Sequence, residues 1–274
     1  MKIVAIGLSH NEADVIGECV RDALAWVDAF VLYDSSTDGT AEIARETGAV
    51  VLPGDPDESF DEGLRQHTLA YAAGLNPDWI VRIDPDEFYP RGVCFAGLLP
   101  QDPRAIFKAA EQSGYAALRA QVVQFWITVD DVRRGLLLED EQVSVQKRRR
   151  WYTVGHSATV GWRHDPRLTY RMGQKENVPF SPNGVVVGAQ GMEHSLLIQT
   201  HYPCRSLAQL VARVAHRKRF GASFGKYRHN LIIDEQVAGL HYWDGGAFSR
   251  AINHPALYSW YEMADQLFSE RLKQ

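Results

Sequence analysis

Cysteine is scarce in this chain. Its 274 residues carry three, Cys19, Cys94 and Cys204, an odd number in scattered positions that fits neither a disulfide framework nor a zinc-binding pair. Reduced thiols, and with them a cytoplasmic setting, are the expectation. Long apolar runs are missing too: the run that opens at Met1-Lys2-Ile3-Val4-Ala5-Ile6 reaches Ser9-His10-Asn11-Glu12 too soon for a signal peptide or a membrane span. Nor is there a surplus of positive charge. With 29 Lys and Arg against 34 Asp and Glu, the formal net charge is −5, which argues against a generic nucleic-acid binder. An anionic ligand must therefore be met by groups gathered locally. Internal repeats and low-complexity tracts are also absent.

What the chain does have is 45% hydrophobic residues, enough for one large α/β domain or such a domain with an appended helical segment. Ile3 to Leu8 reads as a buried strand, and Ala13 to Trp26 places Val15, Ile16, Cys19, Val20 and Leu24 on one helical stripe. Ala29 to Tyr33 is a second strand, ending in Asp34 and a turn-rich Ser35-Ser36-Thr37-Asp38-Gly39-Thr40 that leads into a helix from Ala41. Ala49 to Leu52 is a third strand, Asp61 to Ala73 a helix, and Trp79 to Ile83 a fourth strand running into Asp84-Pro85-Asp86-Glu87-Phe88. This alternation predicts a mostly parallel sheet flanked by helices. Beyond Pro100 a helix is expected over Ala105 to Ser113, strands within Tyr115 to Thr128 and Val143 to Gly155, an irregular region over 161–190, a strand over Leu196 to Thr200, and helices over Ser206 to Arg219 and Pro255 to Leu272.

Parallel sheets bind ligands at the carboxyl ends of their strands. Three of these ends are polar: Ser9-His10-Asn11-Glu12, Asp34, and Asp84 with Asp86 and Glu87. An acidic rim repels a diphosphate unless a divalent ion such as Mg²⁺ or Mn²⁺ stands between them, and both ions take oxygen ligands of this kind. Taken alone, Asp84-Pro85-Asp86 also fits a solvated turn. The basic run Lys147-Arg148-Arg149-Arg150-Trp151 is expected to lie along a strand with its charges on both faces, as a solvated edge rather than a nucleic-acid surface.

His10-Asn11-Glu12, Asp34 followed by Ser36-Thr37-Asp38-Gly39-Thr40, and Asp84-Pro85-Asp86-Glu87-Phe88 resemble, in order and spacing over roughly the first 90 residues, the family-2-like glycosyltransferases of the GT-A fold. Thr200-His201-Tyr202-Pro203-Cys204-Arg205-Ser206 looks like the His-Tyr-x-x-Arg-Ser segment of a bacterial branch. The resemblance implies a nucleotide-diphosphate sugar as donor and an acceptor of unspecified class, whether glycan, lipid-linked or small molecule. It places His10, Asn11, Glu12, Asp34 and Arg65 at the nucleotide and sugar. Asp84 and Asp86 would bind metal and donor, His201 would add a metal ligand, and Arg205 and Arg213 would reach the diphosphate. Each has a plainer alternative: a helix cap for Asp34, a solvated charge for Arg65 and Arg213, a structural histidine for His201.

Inversion at the anomeric carbon is the implied stereochemistry, and it needs a carboxylate base. Glu193 is the first candidate and Asp140 the second. Residues 1–205 are expected as the catalytic domain, with a nucleotide-sugar half at 1–100 and an acceptor half at 101–205, and residues 206–274 as a helical segment packed on it. Two rivals remain. A phosphohydrolase with an Asp nucleophile would want its motif after the first strand and Gly-Thr in place of Glu87-Phe88, and an inactive nucleotide-sugar-binding protein would share the same donor residues.

Overall fold

The computed structural model describes residues 1–92, 101–126, 144–148, 151–183, 197–203, 205, 209 and 241–242. They divide into two compact units, one of Met1–Cys94, Leu99–Val123 and Val154–His201, the other of Phe95–Leu98, Gln124–Thr153 and Tyr202–Gln274.

In the first unit, β1 (Ile3–Ser9) is buried at every residue, which is why its sequence is a continuous apolar run rather than an alternation. Helix α1 (Ile16–Leu24) is shorter than the stripe predicts. Residues 12–15 form a turn instead, with the Val15 and Ile16 N–H groups both donating to the Glu12 carbonyl. β2 (Ala29–Asp34) leads to α2 (Thr40–Thr47), where Asp38 accepts the Thr40 N–H at 2.9 Å and so satisfies a donor the helix leaves open. Gly48, at φ +110°, closes α2 in a left-handed conformation that favours glycine. β3 (Val50–Pro53) follows. A 3₁₀ turn at Glu62–Leu64, capped by the Asp61 carboxylate, then enters α3 (Arg65–Gly74) and β4 (Trp79–Arg82).

β1 pairs in parallel with β2 on one side and β4 on the other, and β3 pairs in parallel with β2. The register sets Ser9 beside Asp34 and Ile6 beside Arg82, so the ends of β1, β2 and β4 lie along one edge. Gly7 allows the closest approach there. A Cβ on it would stand 2.5 Å from the Ile83 carbonyl oxygen.

The sheet continues through β5 (Glu87–Phe88), β6 (Ala117–Trp126), β7 (Trp151–Arg163) and β8 (Leu197–His201), in the order β3-β2-β1-β4-β7-β6-β8-β5. β4 pairs with β7, and β5 with β8, in antiparallel fashion, so the sheet is parallel in its first four strands and mixed beyond them. Helix α4 (Pro103–Gln112) starts on an Asp102 side-chain cap with Pro103 in its first turn, and contributes the fully buried Phe107. The Phe107 ring lies edge-on to Trp79 at 5.3 Å and beside Trp26 at 5.8 Å. On the α3 side, Leu69 and Ala72 share a cluster with Val4, Ile6, Val31, Ile80 and Trp162. Full burial of a side chain such as Ile6 or Leu69 contributes roughly 1.5–3 kcal/mol.

Two local expectations change. The basic run does not begin as a strand, because Val145–Arg148 makes a single helical turn (α5) and β7 starts only at Trp151. The region expected to be irregular from 161 opens with the last three residues of β7, Gly161 to Arg163, held by pairing with β4. Further on, an antiparallel bridge between Thr169 and Phe180 ties the segment into a loop. In the second unit Phe125 stacks on Tyr202 at 4.6 Å, and β9 (His241–Tyr242) pairs antiparallel with Trp151 and Tyr152. Within 206–274, Gln209 is helical and β9 is a strand. The two predicted C-terminal helices otherwise lie outside the described residues. Among the described residues, no helix is long and apolar enough to cross a membrane.

Candidate functional site

At the end of β2, Asp34 is buried but well supplied with donors. The Ser9 hydroxyl donates to its Oδ1 at 2.5 Å, the Ser36 hydroxyl at 2.7 Å, and the Ser36 N–H to Oδ2 at 3.3 Å. His10 and Asn11 tie the end of β1 to the same turn. The Asn11 side-chain oxygen accepts from the Thr37 N–H at 2.9 Å, and its backbone N–H donates to the Ser36 hydroxyl at 2.8 Å. Its amide nitrogen meets His10 Nε2 at 3.2 Å, while His10 Nδ1 meets the Ser35 hydroxyl at 3.2 Å. The tautomer that satisfies both contacts carries its proton on Nδ1. Asn11 sits at φ +55°, a left-handed conformation that asparagine tolerates better than most residues. Glu12 turns the chain toward α2, its N–H donating to the Thr40 hydroxyl at 2.8 Å.

The end of β4 is built differently. Arg65, at 0% exposure, donates from Nη2 to Asp84 Oδ1 at 2.7 Å and from Nε to Glu62 at 2.7 Å. Arg82 donates from Nη1 to Asp84 Oδ2 at 2.6 Å and to Glu87 at 3.2 Å. Burial alone would raise the Asp84 pKa, but Arg65 and Arg82 together hold it below the usual carboxylate range. Glu87, buried with Asp84 and Asp86 close by and only Arg82 as its main cation, is pushed up to about 7. Beneath the turn, the Cys19 sulfur of α1 lies 3.6 Å from the carbonyl oxygens of both Asp84 and Glu87. Burial pushes that thiol well above its ordinary value.

Asp86 occupies the next station. Its Oδ2 lies 3.6 Å from His201 Nε2, and the β5–β8 pairing that sets Glu87 beside His201 brings the two residues together. Gln101 reinforces β8 where β5 runs out: its side-chain amide donates to the Ile198 carbonyl at 3.0 Å and accepts the Ile198 N–H at 2.5 Å. Among the described residues no three His, Cys, Asp or Glu side chains converge into a ready cage for a metal ion. A carboxylate and an imidazole still form a suitable half-shell for Mn²⁺, and Mg²⁺ too is commonly held by one or two protein ligands with substrate phosphates and water completing the sphere.

Of the residues singled out from the sequence, His10, Asn11 and Asp34 thus share one hydrogen-bonded cluster, Arg65 and Asp84 an ion pair, and Asp86 and His201 a close approach. Arg205 belongs to the second unit, where it is fully buried and its backbone N–H donates to the Gln209 side chain at 3.3 Å. Glu193, Asp140 and Arg213 lie outside the described residues. Arg82, Glu62 and Cys19 join the site without having been anticipated. The one available signal for Arg82 was a lone cation in an apolar strand two residues before a carboxylate, a spacing that puts both on the same side of an extended chain.

No protein-family model matches the chain. No curated protein matches it either. Solved structures do: mannosyl-3-phosphoglycerate synthase from Rubrobacter xylanophilus aligns at 20% identity over 45% of this chain and 40% of that one, with a TM-score of 0.33. A mycobacterial protein aligns at 17% identity over 91% of this chain and 85% of the other, with a TM-score of 0.36.

Proposed function

We propose that the chain is a divalent-metal-dependent glycosyltransferase of the GT-A type that moves a sugar from a nucleotide diphosphate to an acceptor hydroxyl, with inversion. The observation that carries this reading is the pair of anionic stations flanking the end of β1, Asp34 among hydroxyl donors and Asp86 beside His201. A nucleotide sugar carries hydroxyls at its ribose and negative charge at its diphosphate, and it would lie along such an edge with the ribose toward Asp34. The Asp84-Pro85-Asp86 turn and His201 would hold a metal ion, which as a Lewis acid supplies compensation for charge developing on the departing diphosphate. Burial of the surrounding carboxylates and arginines excludes water from the underside of the turn, so its charges act at short range and with little screening. The resemblance adds Arg205 and Arg213 as diphosphate contacts and Glu193 as the base that takes the acceptor proton.

The test is a titration of uridine, guanosine and thymidine diphosphate sugars with and without Mn²⁺, in the native protein and in Asp86→Ala. The expected result is binding that needs Mn²⁺ and is lost in the variant. Metal-independent binding, indifferent to the substitution, overturns the reading. For the base, Glu193→Gln should leave donor affinity intact while lowering turnover by about 10²-fold or more.

A further inference from the structure

After β7 the chain folds into a closed loop. Its neck is pinned by two hydrogen bonds, the Thr169 N–H to the Phe180 carbonyl at 3.1 Å and the Phe180 N–H to the Thr169 carbonyl at 2.9 Å. The inside is filled from the loop's own sequence, as in an Ω-loop. The Gln174 side chain accepts the Arg171 N–H at 2.7 Å and donates to the carbonyls of Glu176 and Val178, and the Tyr170 hydroxyl donates to the Asn177 carbonyl at 3.2 Å. The Arg171 guanidinium lies over the Phe180 ring at 4.8 Å. The loop thus carries its own framework.

It is also fastened to the entry of α3. The Gln66 side-chain oxygen accepts the Tyr170 N–H at 2.7 Å. Asp61 uses both carboxylate oxygens, Oδ1 for the Gly63 N–H at 2.7 Å and Oδ2 for the Gly173 N–H at 2.8 Å, so one side chain caps the 3₁₀ turn and holds the loop. Gly63 lies flat against the loop backbone: a Cβ there would stand 2.6 Å from the Met172 nitrogen and 2.7 Å from the Arg171 carbonyl oxygen. Leu168, Tyr170 and Val178 are buried with Leu69 and Ala72 of α3, and Trp162 meets Tyr170 edge-on at 6.5 Å.

Arg65 lies between these fastenings. It is the first residue of α3 and reaches Asp84 and Glu62 from complete burial. The residue before it, Leu64, offers the helix no side-chain cap, so tertiary contacts must fix its start. Tyr170 shares this ground: burial raises its hydroxyl above the ordinary value, against the pull of Arg65 and Arg82. The place of Arg65, and through it of Asp84, is therefore dictated from a loop that begins 104 residues along the chain from Gln66.

We infer that the 169–180 loop is a clamp on the entry to α3, and that Gln66 and Asp61 are positioning residues that act on donor binding through Arg65 and the Asp84 turn. The inference rests on the nucleotide-sugar reading of the strand edge and gives it a remote determinant of affinity. The physical basis is preorganisation: with the clamp loosened, Arg65 and Asp84 drift, and that freedom must be given up again when donor binds.

Gln66→Met and Gln66→Glu make the discriminating pair. Both are close to glutamine in size, and only glutamate keeps an acceptor for the Tyr170 N–H. The whole chain, checked for fold by circular dichroism, is titrated in Mn²⁺ with whichever uridine, guanosine or thymidine diphosphate sugar binds the native protein tightest. In parallel, the trypsin cut after Arg171 is followed by mass spectrometry, which reads local opening of the loop. Gln66→Met should weaken donor binding and speed the cut by about fivefold each, the worth of one neutral hydrogen bond, while Gln66→Glu stays within about twofold of native in both. Asp61→Asn, left with one acceptor oxygen for two N–H groups, should match Gln66→Met. A faster cut with native donor affinity makes the clamp purely structural and overturns the positioning role. Native rates of cutting in both Gln66→Met and Asp61→Asn overturn the clamp itself. Equal weakening in Gln66→Met and Gln66→Glu overturns the role given to the Tyr170 contact. A native protein that binds none of these sugars overturns the nucleotide-sugar reading and this inference with it, an outcome recognisable because the cutting rates still follow the clamp.

Discussion

At the end of β2 a buried carboxylate is held by neutral donors, two serine hydroxyls and a backbone N–H; at the end of β4 a half-buried one is held by two buried arginines. Both aspartates are supplied with donors, but not with the same consequence. Asp34 meets neutral donors in these contacts, which leave room for further donors from a ligand. Asp84 has its charge cancelled where it stands, and serves as a strut. Asp22, the seventh of the nine residues of α1, is a third case. It accepts the Tyr89 N–H at 3.3 Å, and burial raises its pKa to about 6 despite that bond and the nearby Arg91. Donor type, and not burial alone, decides what a carboxylate does in this sheet.

The sharpest way to break the comparison is to delete the strut. Asp84→Ala leaves Arg65 and Arg82 with one carboxylate each, and urea unfolding should show a loss of about 3–5 kcal/mol. A loss under about 1 kcal/mol would mean that the guanidinium groups find water or other partners, and that Asp84 is no anchor.

Asp22→Asn should act in the other direction. In the folded state this carboxyl holds its proton up to about pH 6, against an ordinary value of 3.8, so folded protein binds more protons than unfolded protein between those values. Stability from this group is therefore greatest below about pH 4 and falls as the pH rises to about 6. The asparagine variant should lack that decline and be more stable at pH 7 by roughly 2 kcal/mol, as read from paired denaturation curves at pH 4.5 and pH 7. Parallel curves for the two proteins would remove the contrast with Asp84.

Smallest should be Ser36→Ala. It takes one neutral hydrogen bond from Asp34 and leaves the Ser9 hydroxyl in place, a cost of about 1 kcal/mol in chemical denaturation. If it costs as much as Asp84→Ala, neutral and charged support are equivalent here and the distinction drawn between the two strand ends is lost.

Much of the parallel half was legible in the sequence because β1, β2 and β4 are buried on both faces and therefore spell themselves as apolar runs ending in polar residues. The convergence of Asp34 and Asp84 on one edge followed from that order, and β1 pairs with both neighbouring strands as the alternation requires. Beyond Pro100 the signal weakens for physical reasons. β5 is two residues long and exists through its pairing with β8, which no local pattern announces. The helical turn at Val145–Arg148 lies in a basic run too short to display a period. Arg82 sits inside Trp79-Ile80-Val81-Arg82, where its charge reads as the tail of an alternation; its burial becomes intelligible only once Glu87, five residues on, is folded back beside it. Gln101 is equally silent in sequence, since a side chain that imitates a strand's backbone leaves no pattern.

Gly7 has a consequence for how the two strand ends are spaced. Since its missing side chain lets β1 press against the Ile83 carbonyl, the gauge between the Asp34 station and the Asp84 turn is cut into the main chain rather than set by side chains that can repack. A single methyl there would act as a wedge driven between two rails: every residue of the rim could survive intact while the track they form no longer matched the length of its ligand.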